Sequence, residues 1–171
     1  MLKIRTPKPR ERAAIRAVNI SAYGRPDEAD LVDLLRAEGD AAIELVAQRG
    51  REIVGHILFS PLGLAPAPED APRLLALAPL AVTPDMQRQG VGAELVRRGV
   101  EACRAAAAEA VIVLGHHNYY PRFGFSAAQA ARLNAPFSGE SFMALELAPG
   151  ALERASGRLT YARAFGVRER A

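Results

Sequence analysis

Thiols and imidazoles are scarce: the 171 residues include one cysteine, Cys103, and three histidines, His56, His116 and His117. One cysteine cannot build an intramolecular disulfide framework, and no Cys/His spacing resembles a structural zinc site, so no metal dependence is expected. Long apolar runs are missing as well. Nothing reaches the ~18 uninterrupted apolar residues of a spanning helix, and the opening Met1 to Arg12 carries charges with no apolar run behind them. The expected compartment is the cytoplasm, with no membrane partner. A dense basic block is also lacking: 22 Lys+Arg stand against 19 Asp+Glu, a net +3 spread along the chain. The pI of about 9.4 therefore points to an anionic ligand, and no recognition helix or aromatic-basic motif supports nucleic-acid binding. There is no internal repeat and no low-complexity linker, so the expectation is a single globular domain over 1–171.

What is present reads as mixed α/β. Lys3 to Arg5 reads as a short strand, followed by a proline-containing entry to a helix that ends near Tyr23-Gly24. Asp27 is the expected N-cap of a second helix, with Leu31, Leu34 and Leu35 as its stripe and Gly39 as its stop. Ile43 to Gln48 and Ile53 to Phe59 read as a hairpin around Arg49-Gly50, and Gly63 to Pro72 as a loop. Leu74 to Val82 is apolar and short enough for a buried strand, irregular at Pro79. Gly90 to about Ala108 is helical, with Val91, Leu95, Val96, Val100 and Cys103 on one broad apolar face. Val111 to Leu114, Phe142 to Leu147 and Arg158 to Phe165 read as further strands, and Ala127 to Leu133 as a short helix.

The most informative stretch runs from Leu80 to Gly92, where a buried strand passes through a polar turn directly into a helix. Gly90 and Gly92 would let an anion approach the backbone, and the first-turn N–H groups have no intrahelical partners. With the helix dipole these amides form an anion site, and Arg88 adds a charge suited to a diphosphate. The spacing is neither the Rossmann fingerprint, whose third glycine is absent, nor a P-loop, since no Gly-Lys-Ser/Thr follows.

At this turn the chain resembles the GNAT superfamily of acyl-CoA-dependent N-acetyltransferases, which carries a strand, then Gln/Arg-x-x-Gly-x-Gly/Ala, then a helix. The matching residues are Gln87-Arg-Gln-Gly-Val-Gly92 after Leu80-Ala-Val-Thr-Pro84, and a second motif, Tyr-x-x-x-Gly-Phe, is matched by Tyr120-Pro-Arg-Phe-Gly124-Phe125. The longer run Tyr119 to Phe125 is similar to one branch of small bacterial acetyltransferases. The resemblance implies a mixed, splayed β-sheet flanked by helices, with acetyl-CoA as acyl donor. It implies that backbone groups of Leu80, Ala81 and Val82 meet the pantetheine arm. The turn residues Gln87, Arg88, Gln89, Gly90, Val91, Gly92 and Ala93 would bind the cofactor, the amides from Arg88 through Ala93 holding its pyrophosphate. Family members often dimerise, so a homodimer is within the expectation.

Aminolysis of a thioester needs a neutral amine, a stabilised oxyanion and a proton for the departing thiolate. In the family the first tyrosine of the second motif supplies that proton, and Tyr120 holds its position; an ordinary phenol, with a pKa near ~10, is protonated at neutral pH. Tyr119 is the weaker substitute. Many members carry a glutamate on the strand before the glycine turn, but Leu74 to Val82 has no ionisable side chain. His116 and His117, at the end of the next strand, are then candidates to accept the amine proton, or else they orient their loop by hydrogen bonds. Glu44 and His56 on the central hairpin are further candidates, with a structural or surface-exposed place as the alternative. Cys103 reads as a buried small hydrophobe, and because only Tyr119 separates Asn118 from Tyr120, where the family's asparagine stands several residues before the tyrosine, that role is not carried over to Asn118.

Two functions remain open at this level: transfer of acetyl from acetyl-CoA to a primary amine by direct attack in a ternary complex, or a module that binds acyl-CoA without turnover. Glu28, Asp30, Asp33 and Glu38 around the second helix read as a solvated face, with recognition of a cationic acceptor as the alternative.

Overall fold

The computed structural model describes residues 1–166. The strands are β1 (Leu2–Arg5), β2 (Ile43–Arg49), β3 (Glu52–Ala65), β4 (Leu74–Val82), β5 (Ala110–Leu114), β6 (Phe142–Glu146) and β7 (Arg158–Thr160). The α-helices are α1 (Arg12–Tyr23), α2 (Asp27–Ala37), α3 (Val91–Ala105) and the single turn α4 (Ala127–Ala130). Pairing follows the order β1-β2-β3-β4-β5-β6, with β7 on β3. The registers of β1 with β2, β2 with β3, β5 with β6 and β3 with β7 are antiparallel, whereas β4 with β5 is parallel. The result is a mostly antiparallel mixed sheet with helices, the fold class the sequence implies.

The chain forms two compact units: 1–59 with 78–102, and 60–77 with 103 onward. In the first unit, alternation along β3 explains its unbroken burial from Val54 to Phe59. A Cβ on Gly55 would lie 2.8 Å from Leu95 Cδ1, and one on Gly99 would lie 2.6 Å from the Phe59 ring. Both contacts join α3 to the odd-numbered face of β3. His56, pointing the other way, meets Asn19 of α1. Helices thus cover both faces of this strand, and neither glycine leaves room for a side chain.

In the second unit a core of Leu62, Leu74, Ala76, Ile112, Phe142, Ala144 and Leu159 is closed by Ala130, Leu133, Ala151 and Ala155. The parallel register of β4 with β5 covers Leu74 to Ala76 against Ala110 to Ile112. Ser126 caps α4 by accepting from the Gln129 N–H at 3.2 Å, and Gln129 Oε1 accepts from the Glu146 N–H at 2.9 Å, tying α4 to β6.

Several boundaries differ from the sequence reading. The expected loop from Gly63 begins later because Gly63 to Ala65 continue β3 and pair with Arg158 to Thr160. Strand structure at the far end stops at Thr160, and Arg163–Phe165 form a 3₁₀ turn closed by left-handed Gly166. Asp27 is the first residue of α2, with Pro26 at the cap position and Asp27, Glu28 and Asp30 in the first turn, where the dipole favours carboxylates. The expected helix from Ala127 to Leu133 is α4 alone. Helix α3 ends at Ala105, and the Ala107 and Ala108 N–H groups return to the Arg104 and Cys103 carbonyls at 3.0 and 2.9 Å. Ala107, at φ 61°, takes the left-handed position of this motif that glycine normally fills. Among the described residues no helix is long and apolar enough to cross a membrane.

Candidate active site

The first unit carries the turn. After β4 the chain makes a 3₁₀ turn, Pro84–Met86, and enters α3 at Val91. Arg88 (φ 60°) and Gly90 (φ 84°) both lie in the left-handed region, and a Cβ on Gly90 would meet nothing within 4 Å. For Gly90 this conformation is unstrained, whereas for Arg88 it costs roughly 1–2 kcal/mol. Side-chain amides brace the turn: Gln87 Nε2 donates to the Val82 carbonyl at 3.0 Å, and Gln89 Nε2 to the Asp85 carbonyl at 2.8 Å. The first intrahelical bond runs from the Glu94 N–H to the Gly90 carbonyl at 3.0 Å. The N–H groups of the first turn of α3 thus lie beyond that ladder, beside the exposed Arg88. Leu80, Ala81, Val82, Gln87, Arg88, Gln89, Gly90, Val91, Gly92 and Ala93 form one continuous strand-turn-helix, and the Arg88 to Gly90 backbone is suited to an anion.

The second unit carries the tyrosines. Tyr120–Phe123 form a 3₁₀ turn ended by left-handed Gly124 at φ 96°. The His116 carbonyl accepts from the Tyr119 N–H at 3.0 Å and the Tyr120 N–H at 3.3 Å, and the Gly124 N–H returns to Pro121 at 3.0 Å. Tyr120 is buried, its ring on Gly115, where any Cβ would overlap it, and edge-on to Tyr119 and Phe125 at 5.2 and 5.7 Å. Arg122 stacks 4.6 Å over the Tyr119 ring and donates to the Tyr119 carbonyl at 3.0 Å. The residues between the motif's tyrosine and its glycine are therefore a closed turn that packs the aromatic rings. The imidazoles of His116 and His117 are exposed, and His117 Nδ1 lies 3.6 Å from Glu140 Oε1. His116 orients the loop through its backbone.

Glu44 and His56 resolve in favour of structure. His56 is fully buried, its Nε2 2.7 Å from Glu44 Oε1 and its Nδ1 3.1 Å from Asn19 Nδ2. Asn19 Nδ2 also donates to the Ile15 carbonyl at 3.0 Å, which fixes the amide orientation and makes Nδ1 an acceptor. His56 is therefore the neutral Nε2–H tautomer, donating to a carboxylate that Arg36 also binds through Nε and Nη2. Burial pushes His56 below its ordinary value, against the upward pull of Glu44. For Glu44 burial acts upward, but the hydrogen bonds from His56 and Arg36 outweigh it and the net shift is downward. Asn19 and Arg36 escaped the sequence reading. The available signal was a polar residue on the apolar Ile15-Val18-Asn19 stripe of α1.

The acidic face of α2 is answered by arginines. Arg16 reaches Asp30 at 2.7 Å and Asp33 at 2.9 Å, and Arg25 reaches Glu28 at 2.5 Å. Cys103 is buried, and burial pushes its thiol up to about 12, which removes it as a nucleophile. Among the described residues no cluster of three or more His, Cys, Asp or Glu is able to hold a metal ion.

A mostly antiparallel mixed sheet whose fourth strand enters a left-handed turn and a helix is the arrangement that the resemblance to the acyl-CoA-dependent acetyltransferases leads one to expect. Comparison with known families agrees: residues 12–125 match the acetyltransferase (GNAT) family, and the chain belongs to it. It is 44% identical to the uncharacterized N-acetyltransferase YjhQ of Escherichia coli K12 over 113 residues, 65% of this chain and 62% of that protein. The chain thus spans less than two thirds of that relative. It is 31% identical to the uncharacterized N-acetyltransferase YhbS of the same strain over 92% of this chain and 95% of that protein. The crystal structure of E. coli YhbS in complex with CoA superimposes with a TM-score of 0.87 at 29% identity, covering 97% of this chain and 92% of that one. A GNAT acetyltransferase from Brucella melitensis in complex with acetyl-CoA gives 0.79 at 30% identity, over 96% and 98%.

Proposed function

We propose that residues 1–171 act as one cytoplasmic N-acetyltransferase domain that moves acetyl from acetyl-CoA to a primary amine by direct attack in a ternary complex. The observation that carries this reading is the left-handed Arg88–Gly90 turn leading into the free first-turn amides of α3. Those amides and the Arg88 guanidinium would hold the pyrophosphate, and β4 from Leu80 to Val82 would present backbone to the pantetheine arm.

The neutral amine attacks the thioester carbonyl. The tetrahedral adduct then collapses as the C–S bond breaks, and the thiolate takes a proton to leave as CoA. Tyr120 is the proposed donor of that proton. The proton lost by the amine passes to water or to an exposed imidazole, His116 or His117. Strand β4 offers no carboxylate for this role, and Glu44 is committed to Arg36 and His56.

Release of free CoA across a panel of amines tests the reading. Tyr120→Phe should lower kcat at least tenfold while acetyl-CoA affinity holds, and an unchanged rate would remove Tyr120 from the mechanism. A module that holds acyl-CoA without turnover would bind acetyl-CoA and release none across the panel.

A further inference from the structure

Two carbonyls of β4 already have donors. Tyr23, the last residue of α1, places its phenol 2.7 Å from the Leu80 carbonyl oxygen, and Gln87 Nε2 lies 3.0 Å from that of Val82. The Thr83 N–H donates to the Val54 carbonyl of β3 at 2.9 Å. Backbone groups of successive residues point to opposite edges of a strand, so Leu80 and Val82 face the edge away from β3. That edge meets side chains: one acceptor is filled from α1 and the other from the turn that follows β4. The α1 end is itself fixed, since the Gly24 N–H closes on the Ile20 carbonyl at 2.8 Å with Gly24 at φ 70°. Desolvation raises the Tyr23 phenol, and the nearby Glu28 adds to it, so Tyr23 is protonated and donating at neutral pH.

The amides of a pantetheine arm each bring one N–H and one carbonyl. A carbonyl that already accepts one hydrogen bond keeps a single lone pair, so an edge whose carbonyls are engaged offers its N–H groups first. We propose that Tyr23 and Gln87 are positioning residues that hold the Leu80 and Val82 carbonyls, so that this edge of β4 receives the arm chiefly through N–H donation to its amide carbonyls. Holding the strand extended before the arm arrives lowers the ordering cost of binding. This inference rests on the acetyl-CoA reading and gives α1 a part in it that neither sequence motif contains.

The test uses Tyr23→Phe in the full chain, which keeps the ring and removes the hydroxyl. Calorimetry is run with S-acetylpantetheine, which is the arm without the nucleotide, with ADP, which is the diphosphate without the arm, and with acetyl-CoA. The arm and acetyl-CoA should each bind about three- to tenfold more weakly, as expected for one lost hydrogen bond, with ADP unchanged. Gln87→Met reads the same edge from its other end and should also weaken the arm. Unchanged or tighter arm binding in both variants would overturn the proposal, as would an equal loss of arm and ADP. If the unsubstituted protein bound neither probe, the acetyl-CoA reading itself would fall. Arm binding that resists both substitutions in a protein that still takes ADP would sink this inference alone.

Discussion

Arg88 holds a backbone conformation that glycine would adopt without strain, at the turn proposed to bind pyrophosphate. Arg88→Gly should therefore leave folding stability unchanged or raise it by up to about 1 kcal/mol in urea denaturation, while acetyl-CoA binding by calorimetry weakens about tenfold for want of the guanidinium. Loss of stability with full affinity would show that Arg88 serves the fold. The buried His56 makes a prediction about acid. Its folded pKa lies below the unfolded value of 6.5, so between the two the unfolded chain binds a proton that the folded chain does not. Stability should fall as pH drops below about 6.5, and the lowered Glu44 carboxyl extends the loss as pH falls through its folded value. Denaturation midpoints across this range should flatten near pH 6 in His56→Gln. An unchanged profile would assign the acid sensitivity to other groups.

Helix α3 owes its seat to what two residues lack. Gly→Ala in an exposed helix interior gains about 1 kcal/mol of propensity, but at Gly99 the added methyl would lie within 2.7 Å of the Phe59 ring. Overpacking of this kind costs roughly 1–3 kcal/mol, so Gly99→Ala should destabilise the protein on balance, as read from the urea midpoint. A gain would mean that Phe59 swings aside freely. At this scale much was legible: β4 matches its expected bounds, and β5, β6 and α3 agree within a few residues, because long apolar runs and helical periodicity speak for themselves. The rest depended on partners distant in sequence. Gly63 to Ala65 are strand because β7 lies beside them, and nothing in the proline-rich stretch around them announces a neighbour nearly a hundred residues on. The glycine-rich entry to α3 was readable in the sequence, whereas the left-handed backbone that Arg88 shares with Gly90 was not. The side-chain caps on Leu80 and Val82 were not, since a hydrogen bond from Tyr23 has no local signature.

For the molecule as a whole, ligand binding should register as stability. A ligand that binds only the folded chain adds about 2.7 kcal/mol at a hundredfold excess over its Kd, so saturating acetyl-CoA should raise Tm by several degrees, and Gly90→Val should remove most of that rise. An equal rise in the variant would take the pyrophosphate away from this turn. The modest excess of basic charge then fits the anion cradle proposed at the head of α3, while Arg16, Arg25 and Arg36 are spent on carboxylates. The buried Cys103 has a practical corollary. Because it is the chain's only thiol and its acidity is suppressed to about 12, a colorimetric thiol reagent added to the folded protein should see the CoA released in turnover and nothing of the enzyme. The same reagent without substrate becomes a clock for unfolding: its slow reaction with Cys103 times how often α3 lifts from its bed.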